Sequence, residues 1–387
     1  MYEKFEYSVE MCYYCSMNNS LTELIGRAPV VALLGMCKNA GKTTALNRLI
    51  YEYRSSGVRV AVTSIGRDGE TLDTVTGTRK PPIYIFEGML AATTSGLLPL
   101  SDVSREMLEV SDIATPLGRV VVFLAKSDGY VQLAGPSIVG DMSMLIKRLQ
   151  RFGADTVLID GALSRLSPAV SALDGVCILS TGASLSADMD TVISETAHIC
   201  RILALPCPGV GKRGVPLMQM IRNAREADDS ASFNDAGRMW NMRKTRSGIG
   251  NLPAFSVFRD EAVESAGTIE DLLPLIKRYE AECIVFGGAL TDAMARAILK
   301  SGIKLDGMLL VADDSSKILI KRETFDRLSA NGAAFAVMHS TALAAVTVNP
   351  VSAGGWSFDA HRFLDEMQRA VAIPVVDVER MGEVLWL

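Results

Sequence analysis

The sequence predicts an α/β fold in which helices cover both faces of a parallel β-sheet. Three observations support this prediction. Apolar runs of strand length alternate with segments of helical spacing, which is typical of a buried parallel sheet. The apolar run at residues 30–34 passes through a glycine-containing turn directly into a helical segment at 45–53. The alternation is interrupted after residue 204 and resumes at residue 282, which indicates a second α/β unit.

The turn between the first strand and its helix has the composition of a phosphate-binding loop. Successive backbone N–H groups of such a turn point at one spot, and the positive end of the helix dipole adds to their attraction for phosphate. We expect Lys42 to contact the β- and γ-phosphates and the Thr43 hydroxyl to bind Mg²⁺. The sequence therefore predicts a P-loop NTPase domain followed by a second α/β unit. The predicted nucleotide-binding residues are Gly35, Lys38, Asn39, Ala40, Gly41, Lys42, Thr43 and Thr44.

This segment, residues 35–44, departs from the usual pattern at one position. The pattern G-x-x-x-x-G-K-[ST], counted back from Gly41 and Lys42, places Met36 where a glycine is usual, and Gly35 lies one residue earlier. If the first position required a positive φ, Met36 would be strained there. Otherwise the loop begins with a slightly different backbone path.

Two carboxylates are candidates for the catalytic chemistry. Mg-nucleotide hydrolysis needs an acidic group near the metal besides the loop threonine. Asp160 ends the apolar run 156–159 and is the predicted metal ligand, with a turn or helix-capping role as the alternative. Asp68 lies in the polar loop after the strand predicted at 58–65, and we expect it to bind the metal or orient the attacking water. Lys38 either adds positive charge at the phosphates or faces solvent.

The predicted organisation has four parts. Residues 1–27 form an N-terminal extension, 28–204 the P-loop NTPase domain, 205–280 an insertion or linker with a basic segment, and 281–387 a C-terminal α/β domain. A helix is predicted at 101–109, and a hairpin at 126–129 because an Asp-Gly pair lies between two apolar runs. The glycine-rich loop at 349–356 follows a predicted strand, and it is either a ligand wall or partner contact, or a tight turn.

Composition excludes several functions. Of 387 residues, 49% are hydrophobic and 21% charged, the balance of a globular protein. A net charge of −5 argues against nucleic-acid binding, although residues 211–246 carry eight basic against four acidic residues. The sequence contains no apolar run of membrane-spanning length, and residues 1–19 do not resemble a signal peptide, so we expect a cytoplasmic protein with no membrane contact. Its three histidines are not spaced for a metal site.

The 35–44 segment resembles the phosphate loop of a family that contains molybdopterin-guanine dinucleotide accessory proteins and dethiobiotin synthetases. In that family an acidic-Gly motif follows the third strand, and Asp160-Gly161-Ala162 matches it. More narrowly, the segment together with residues 63–70 and Val348-Asn349-Pro350 resembles the ATPase subunits of lysine 5,6-aminomutase reactivases. This resemblance implies ATP and Mg²⁺ as cofactors and ATP-driven exchange of damaged cobalamin. It also implies two partners, a MutS-like second subunit and a cobalamin-dependent aminomutase, and hence a homo- or hetero-oligomer.

The residues themselves leave other functions open. An ATP-dependent ligase or kinase would use the second α/β unit to bind its small-molecule substrate. A nucleotide-binding accessory protein would have negligible turnover. The sequence lacks an Asn-Lys-x-Asp guanine motif, and ATP and GTP both remain candidates.

Overall fold

The computed structural model describes residues 20–54, 56–66, 83–161, 175–209, 217–219, 221, 255–259, 262–279 and 281–378. Three sequence-based predictions therefore lie outside the described residues: the role of Asp68, the N-terminal extension up to residue 19, and most of the basic segment at 211–246. The chain divides into two compact units, one formed by Met1–Cys200 with Thr341–Leu387 and the other by Arg201–Ser340.

The first unit is built on a nine-stranded sheet. The strands are β1 (Val30–Gly35), β2 (Val60–Ser64), β4 (Leu90–Thr94), β5 (Arg105–Thr115), β6 (Gly118–Ala125), β8 (Thr156–Asp160), β9 (Val176–Gly182), β17 (Ala342–Asn349) and β18 (Val375–Val376). Their order in the sheet is β18-β17-β9-β1-β8-β2-β4-β6-β5, and the pairs from β18 to β4 are parallel. A separate two-stranded antiparallel sheet pairs β3 (Ile83–Ile85) with β7 (Gly129–Val131).

The central strand explains why the sequence contains an unbroken apolar run there. Residues 30–34 of β1 are buried because β8 and β9 flank the strand and helices cover the sheet. The chain leaves β1 toward β2 on one side, whereas β9 and β17 follow on the other side. A topological switch of this kind lies at the carboxyl end of β1, which is where ligands of open α/β sheets bind.

Helices connect the strands of the first unit. They are α1 (Leu21–Ile25), α2 (Lys42–Arg54), α3 (Val139–Arg151), α4 (Met189–Leu203) and α8 (Ala360–Ala370). A capping box begins α1, since Ser20 and Glu23 bond each other's backbone N–H groups. Helix α2 buries Leu46, Leu49 and Ile50 in the core that includes β1. Each of those side chains stabilises the fold by roughly 1.5–3 kcal/mol, and together they fix the helix that follows the 35–44 segment.

Two local predictions are wrong. The helix predicted at 101–109 is instead the start of β5, which pairs antiparallel with β6. The Asp-Gly pair at 128–129 does not make a hairpin, because β6 pairs with β4 and β5 while β7 pairs with β3. Asp128 instead accepts a hydrogen bond from the Glu87 N–H at 2.8 Å. A hairpin does occur nearby, between β5 and β6. Its turn lies between Thr115 and Gly118, and Gly118 has a φ of +100°.

The second unit has a five-stranded sheet of order β11-β10-β12-β14-β16, in which the last three strands are parallel. Its core includes Leu217 and Ile221, which contact residues of the sheet such as Phe258 and Val285. The strands are β10 (Phe255–Arg259), β11 (Ala262–Ala266), β12 (Cys283–Phe286), β14 (Leu309–Asp314) and β16 (Ala334–His339), and β13 (Leu290–Thr291) pairs separately with β15 (Ile318–Leu319). The helices are α5 (Ile269–Tyr279), α6 (Asp292–Lys300) and α7 (Arg322–Ala330).

The α/β class is confirmed, with mixed sheets that are mostly parallel. The predicted domain boundaries differ from the structure at two places. Strands β10 and β11 lie in the region predicted as an insertion or linker at 205–280, yet they belong to the second sheet, and helix α5 from the same region belongs to the second unit. Strands β17 and β18, predicted as part of a C-terminal domain at 281–387, pair with the first sheet through β9. The C-terminal segment thus completes the sheet that contains β1. Within the described residues, no helix is both long and apolar enough to cross a membrane.

Candidate functional site

The 35–44 segment joins the carboxyl end of β1 to the first turn of α2. The ladder between β1 and β9 continues one residue past the strand, because the Met36 N–H donates to the Ser180 carbonyl at 2.9 Å. The chain then turns, Gly41 has a φ of +94°, and the Ala45 N–H donates to the Gly41 carbonyl at 3.0 Å. The predicted order of strand, glycine-containing turn and helix is therefore present, and the N-terminus of α2 faces the carboxyl edge of the sheet.

Glycine is needed at position 35 because the Lys42 side chain packs directly against the backbone there. A Cβ atom at Gly35 would lie 2.7 Å from Cδ of Lys42, so the lysine stem runs across the Gly35 backbone. Its Nζ donates to the Gly161 carbonyl, 3.0 Å away, just beyond the end of β8. The positive charge of Lys42 is thereby held at the carboxyl edge of the sheet.

Met36 is accommodated without a left-handed backbone. Among the described non-glycine residues, only Asn39 has a positive φ, at +58°. Asparagine tolerates this region because its short polar side chain can hydrogen-bond locally. The strained position of the segment is therefore residue 39 rather than residue 36, and the displaced glycine at residue 35 serves the lysine stem.

Asp160 lies on the strand next to β1. It ends β8, is 8% exposed, and pairs across the sheet with Leu33 on one side and Ser64 on the other. Thr43, in the first turn of α2, is half-buried. Asp160 and the 35–44 segment thus lie at the carboxyl edge of adjacent strands.

Two residues of this edge carry oxygen atoms of the kind that bind Mg²⁺ in nucleotide sites. Among the described residues, no group of three His, Cys, Asp or Glu side chains could hold a metal ion by itself. Mg²⁺ in nucleotide sites is bound by one or two protein oxygens together with phosphates and waters. The Thr43 hydroxyl and the Asp160 carboxylate are oxygen donors of this type, so the residues fit Mg²⁺ held jointly with a phosphate ligand.

The 35–44 segment contains a thiol that stays protonated near neutral pH. Burial raises the pKa of Cys37 above its usual value, and the nearby Lys42 ammonium only partly offsets this effect. A neutral thiol is a poor nucleophile and a poor metal ligand. Cys37 is therefore a space-filling neighbour of the lysine rather than a reactive group.

Asn349 is a residue of this site to which the sequence patterns gave no individual role. It ends β17, and its Nδ2 donates to the Asn39 carbonyl at 3.3 Å. A Cβ atom placed on Gly41 would lie 3.5 Å from Cβ of Asn349, so the two backbones approach closely. The available signal was the Val348-Asn349-Pro350 run at a strand end, which carried part of the family resemblance.

A narrow cleft opens beside the first turn of α2. One wall is the 35–44 segment with Thr44, and the other is formed by the ends of β17 and β18. The carboxylate residue Asp377 lines this cleft and is 6% exposed. The lining residues are Ala40, Gly41, Thr44, Thr347, Val348, Asn349, Pro350, Asp377 and Val378.

The 349–356 loop is a defined turn that borders the cleft. The Ser352 N–H donates to the Trp356 carbonyl at 2.9 Å, and the Trp356 indole Nε1 donates to the Ala183 carbonyl at 2.9 Å. Val351 and Trp356 remain 56% and 40% exposed. The tight-turn alternative for this loop is confirmed in its geometry, and its start at Asn349 also contacts the 35–44 segment.

No protein-family model, curated protein or solved structure matches this sequence.

Proposed function

We propose that this protein is a P-loop nucleoside triphosphatase whose nucleotide site lies at the carboxyl edge of the nine-stranded sheet. The observation that carries the proposal is the path of Lys42 across Gly35, which places an ammonium group at the start of a helix that follows the central strand. Backbone N–H groups and the helix dipole attract phosphate at the same place. Among the described residues of this edge, these features converge on the 35–44 segment.

The roles of the site residues follow from their positions. The backbone of Gly41 to Thr44 receives the β- and γ-phosphates, and Lys42 exchanges its bond to the Gly161 carbonyl for charge-assisted bonds to phosphate oxygens. Thr43 and Asp160 would hold Mg²⁺, which would supply positive charge beside the phosphates during transfer.

The family resemblance supports a proposal for what nucleotide hydrolysis drives. In the reactivase family, the protein acted on is a cobalamin-dependent aminomutase, the partner is a MutS-like second subunit, and the nucleotide is ATP. Ejecting a damaged cofactor requires a conformational change, and a nucleotide drives such a change only if it binds one state better than the other. A small-molecule ligase or kinase and an accessory protein without turnover are the alternatives, and they differ in what stimulates hydrolysis: a protein, a metabolite or nothing.

Phosphate release from Mg-ATP and Mg-GTP tests the proposal. Lys42→Ala removes charge-assisted bonds worth roughly 1.5–3 kcal/mol, so it should weaken nucleotide binding about ten- to a hundredfold and lower hydrolysis by a similar factor at nucleotide concentrations below KM. Lys126→Ala is the matched control, because Lys126 is a half-exposed lysine of the same unit that pairs with Glu106 at 2.7 Å. Hydrolysis that is equal in the wild type and a folded Lys42→Ala variant would remove the proposed site.

A further inference from the structure

Asn349, at the end of β17, contacts the 35–44 segment although it is far from that segment in sequence. The two residues joined by the bond from Asn349 Nδ2 to the Asn39 carbonyl are 310 positions apart in sequence. The amide is oriented, since its Oδ1 accepts the Val351 N–H at 3.0 Å. Because Oδ1 accepts this hydrogen bond, Nδ2 is the side-chain atom that faces Asn39.

The backbone that carries this amide is also fixed. The Asn349 carbonyl accepts the Ala183 N–H at 2.9 Å. A Cβ atom on Gly182 would lie 2.3 Å from that carbonyl oxygen, so only glycine permits this approach. The position of Asn349 relative to β9, and through β9 to β1, is therefore set by the sheet.

The bonded carbonyl belongs to the residue with the left-handed backbone. Asn39 has a φ of +58°, and its carbonyl shares one planar trans peptide unit with the Ala40 N–H. The C=O and N–H of such a unit point in opposite directions. A carbonyl held toward Asn349 therefore turns the Ala40 N–H away from Asn349.

We propose that Asn349 is a positioning residue that orients the peptide between Asn39 and Ala40 so that its N–H faces the bound phosphates. This inference rests on the proposed function and names a residue from the C-terminal segment on which that site depends. Asn349 acts through the loop backbone, and nucleotide affinity is the quantity that its side chain controls.

Two variants of Asn349 and one control separate positioning from simple loosening of the C-terminal segment. Asn349→Ala removes the donor and the acceptor. Asn349→Asp keeps an acceptor for the Val351 N–H, loses the donor, and adds negative charge beside the phosphates. Gln368→Ala is the control, because Gln368 holds the same segment through the Val375 N–H at 2.9 Å and the Ile373 carbonyl at 3.1 Å without contacting the 35–44 segment.

The measurements are KM and kcat for Mg-nucleotide hydrolysis and the rise in melting temperature on adding a non-hydrolysable nucleotide. Losing one hydrogen bond that orients a phosphate-binding N–H should raise KM about tenfold in Asn349→Ala, with a smaller change in kcat. Asn349→Asp should raise KM further at low salt, and this extra loss should shrink as salt screens the added charge. The stabilisation by nucleotide should fall in both variants and persist in Gln368→Ala.

Three results would overturn the inference. One is a KM in Asn349→Ala within twofold of the wild type. Another is an equal loss in Gln368→Ala, which would reduce Asn349 to a structural role. The third is a wild-type protein that neither binds nor hydrolyses any nucleotide, an outcome that also removes the proposed function. In the first two outcomes the wild type still binds nucleotide, so the proposed function stands.

Discussion

Gly35→Ala tests how the lysine is held. The added Cβ would lie 2.7 Å from Cδ, 2.9 Å from Cγ and 3.0 Å from Cε of Lys42. Carbon atoms in contact sit about 3.5–4.0 Å apart, so the lysine stem must move by roughly 0.8 Å or more. Gly35 does not have a positive φ, and its backbone therefore accepts alanine without strain. The unfavourable free energy of the substitution therefore comes from displacing the Lys42 side chain.

The expected result is weaker nucleotide binding in a folded protein. Displacing Lys42 forfeits part of a charge-assisted interaction worth roughly 1.5–3 kcal/mol, so affinity measured by calorimetry should fall about tenfold or more. Gly140→Ala is the matched control, because a Cβ at Gly140 in α3 meets no atom within 4 Å. It should leave affinity unchanged.

A double-mutant cycle separates the mechanism from a general loss of stability. If the added methyl group acts through the lysine, Gly35→Ala should have no further effect on nucleotide affinity once Lys42 is alanine. Additive losses in the double variant, or unchanged affinity in Gly35→Ala alone, would refute the account of the lysine path.

Three further predictions follow from the site and the fold. Asp160→Asn should fold and lose Mg²⁺-dependent hydrolysis, whereas Asp155→Asn, at the residue just before the same strand, should fold and keep it. Turnover of Asp160→Asn within twofold of the wild type would make Asp160 a turn residue and leave Asp68 as the candidate metal ligand. Burial raises the pKa of Cys177 from 9.0 to about 12, so the unfolded chain loses this proton first and the free energy of unfolding should fall by up to about 1.4 kcal/mol per pH unit above pH 9. Urea unfolding should show a shallower fall in Cys177→Ala, and equal slopes would contradict this prediction. If the proposed client is correct, a cobalamin-dependent aminomutase inactivated by turnover should recover activity with this protein, the proposed MutS-like partner, adenosylcobalamin, Mg²⁺ and ATP. Recovery without ATP or with Lys42→Ala would exclude the reactivase hypothesis.

Local sequence patterns predicted the elements that carry the site. The run at residues 30–34 is apolar because β1 is buried on both faces, and the glycines of the 35–44 segment are where the lysine stem and the turn require them. Helix α7, at Arg322–Ala330, and helix α8, at Ala360–Ala370, lie where the apolar residues have helical spacing, so these two elements are encoded locally.

The wrong predictions concern segments whose structure depends on pairing with strands that are not their neighbours in sequence. Residues 105–109 are good helix formers, yet pairing with the buried strand β6 outweighs a helix propensity worth a few tenths of a kcal/mol per residue. An Asp-Gly pair marks a turn, but the strands on either side of it pair elsewhere.

The contribution of Asn349 could not be predicted from local patterns for a related reason. A buried parallel strand has the same apolar sequence whichever sheet it joins, so nothing local shows that β17 pairs with β9. That pairing brings Asn349 to the 35–44 segment. Only the sheet order identifies Asn349 as a neighbour of Asn39.

A crystal structure with Mg²⁺ and a non-hydrolysable nucleoside triphosphate would test the claim that phosphates bind at the 35–44 segment. We expect the β- and γ-phosphates to lie within hydrogen-bond distance of the backbone N–H groups of residues 40–44. We also expect Lys42 Nζ to have left the Gly161 carbonyl, 3.0 Å away in the present structure, for the phosphate oxygens. A triphosphate bound elsewhere, or a Lys42 still bonded to Gly161 beside the bound nucleotide, would contradict the claim.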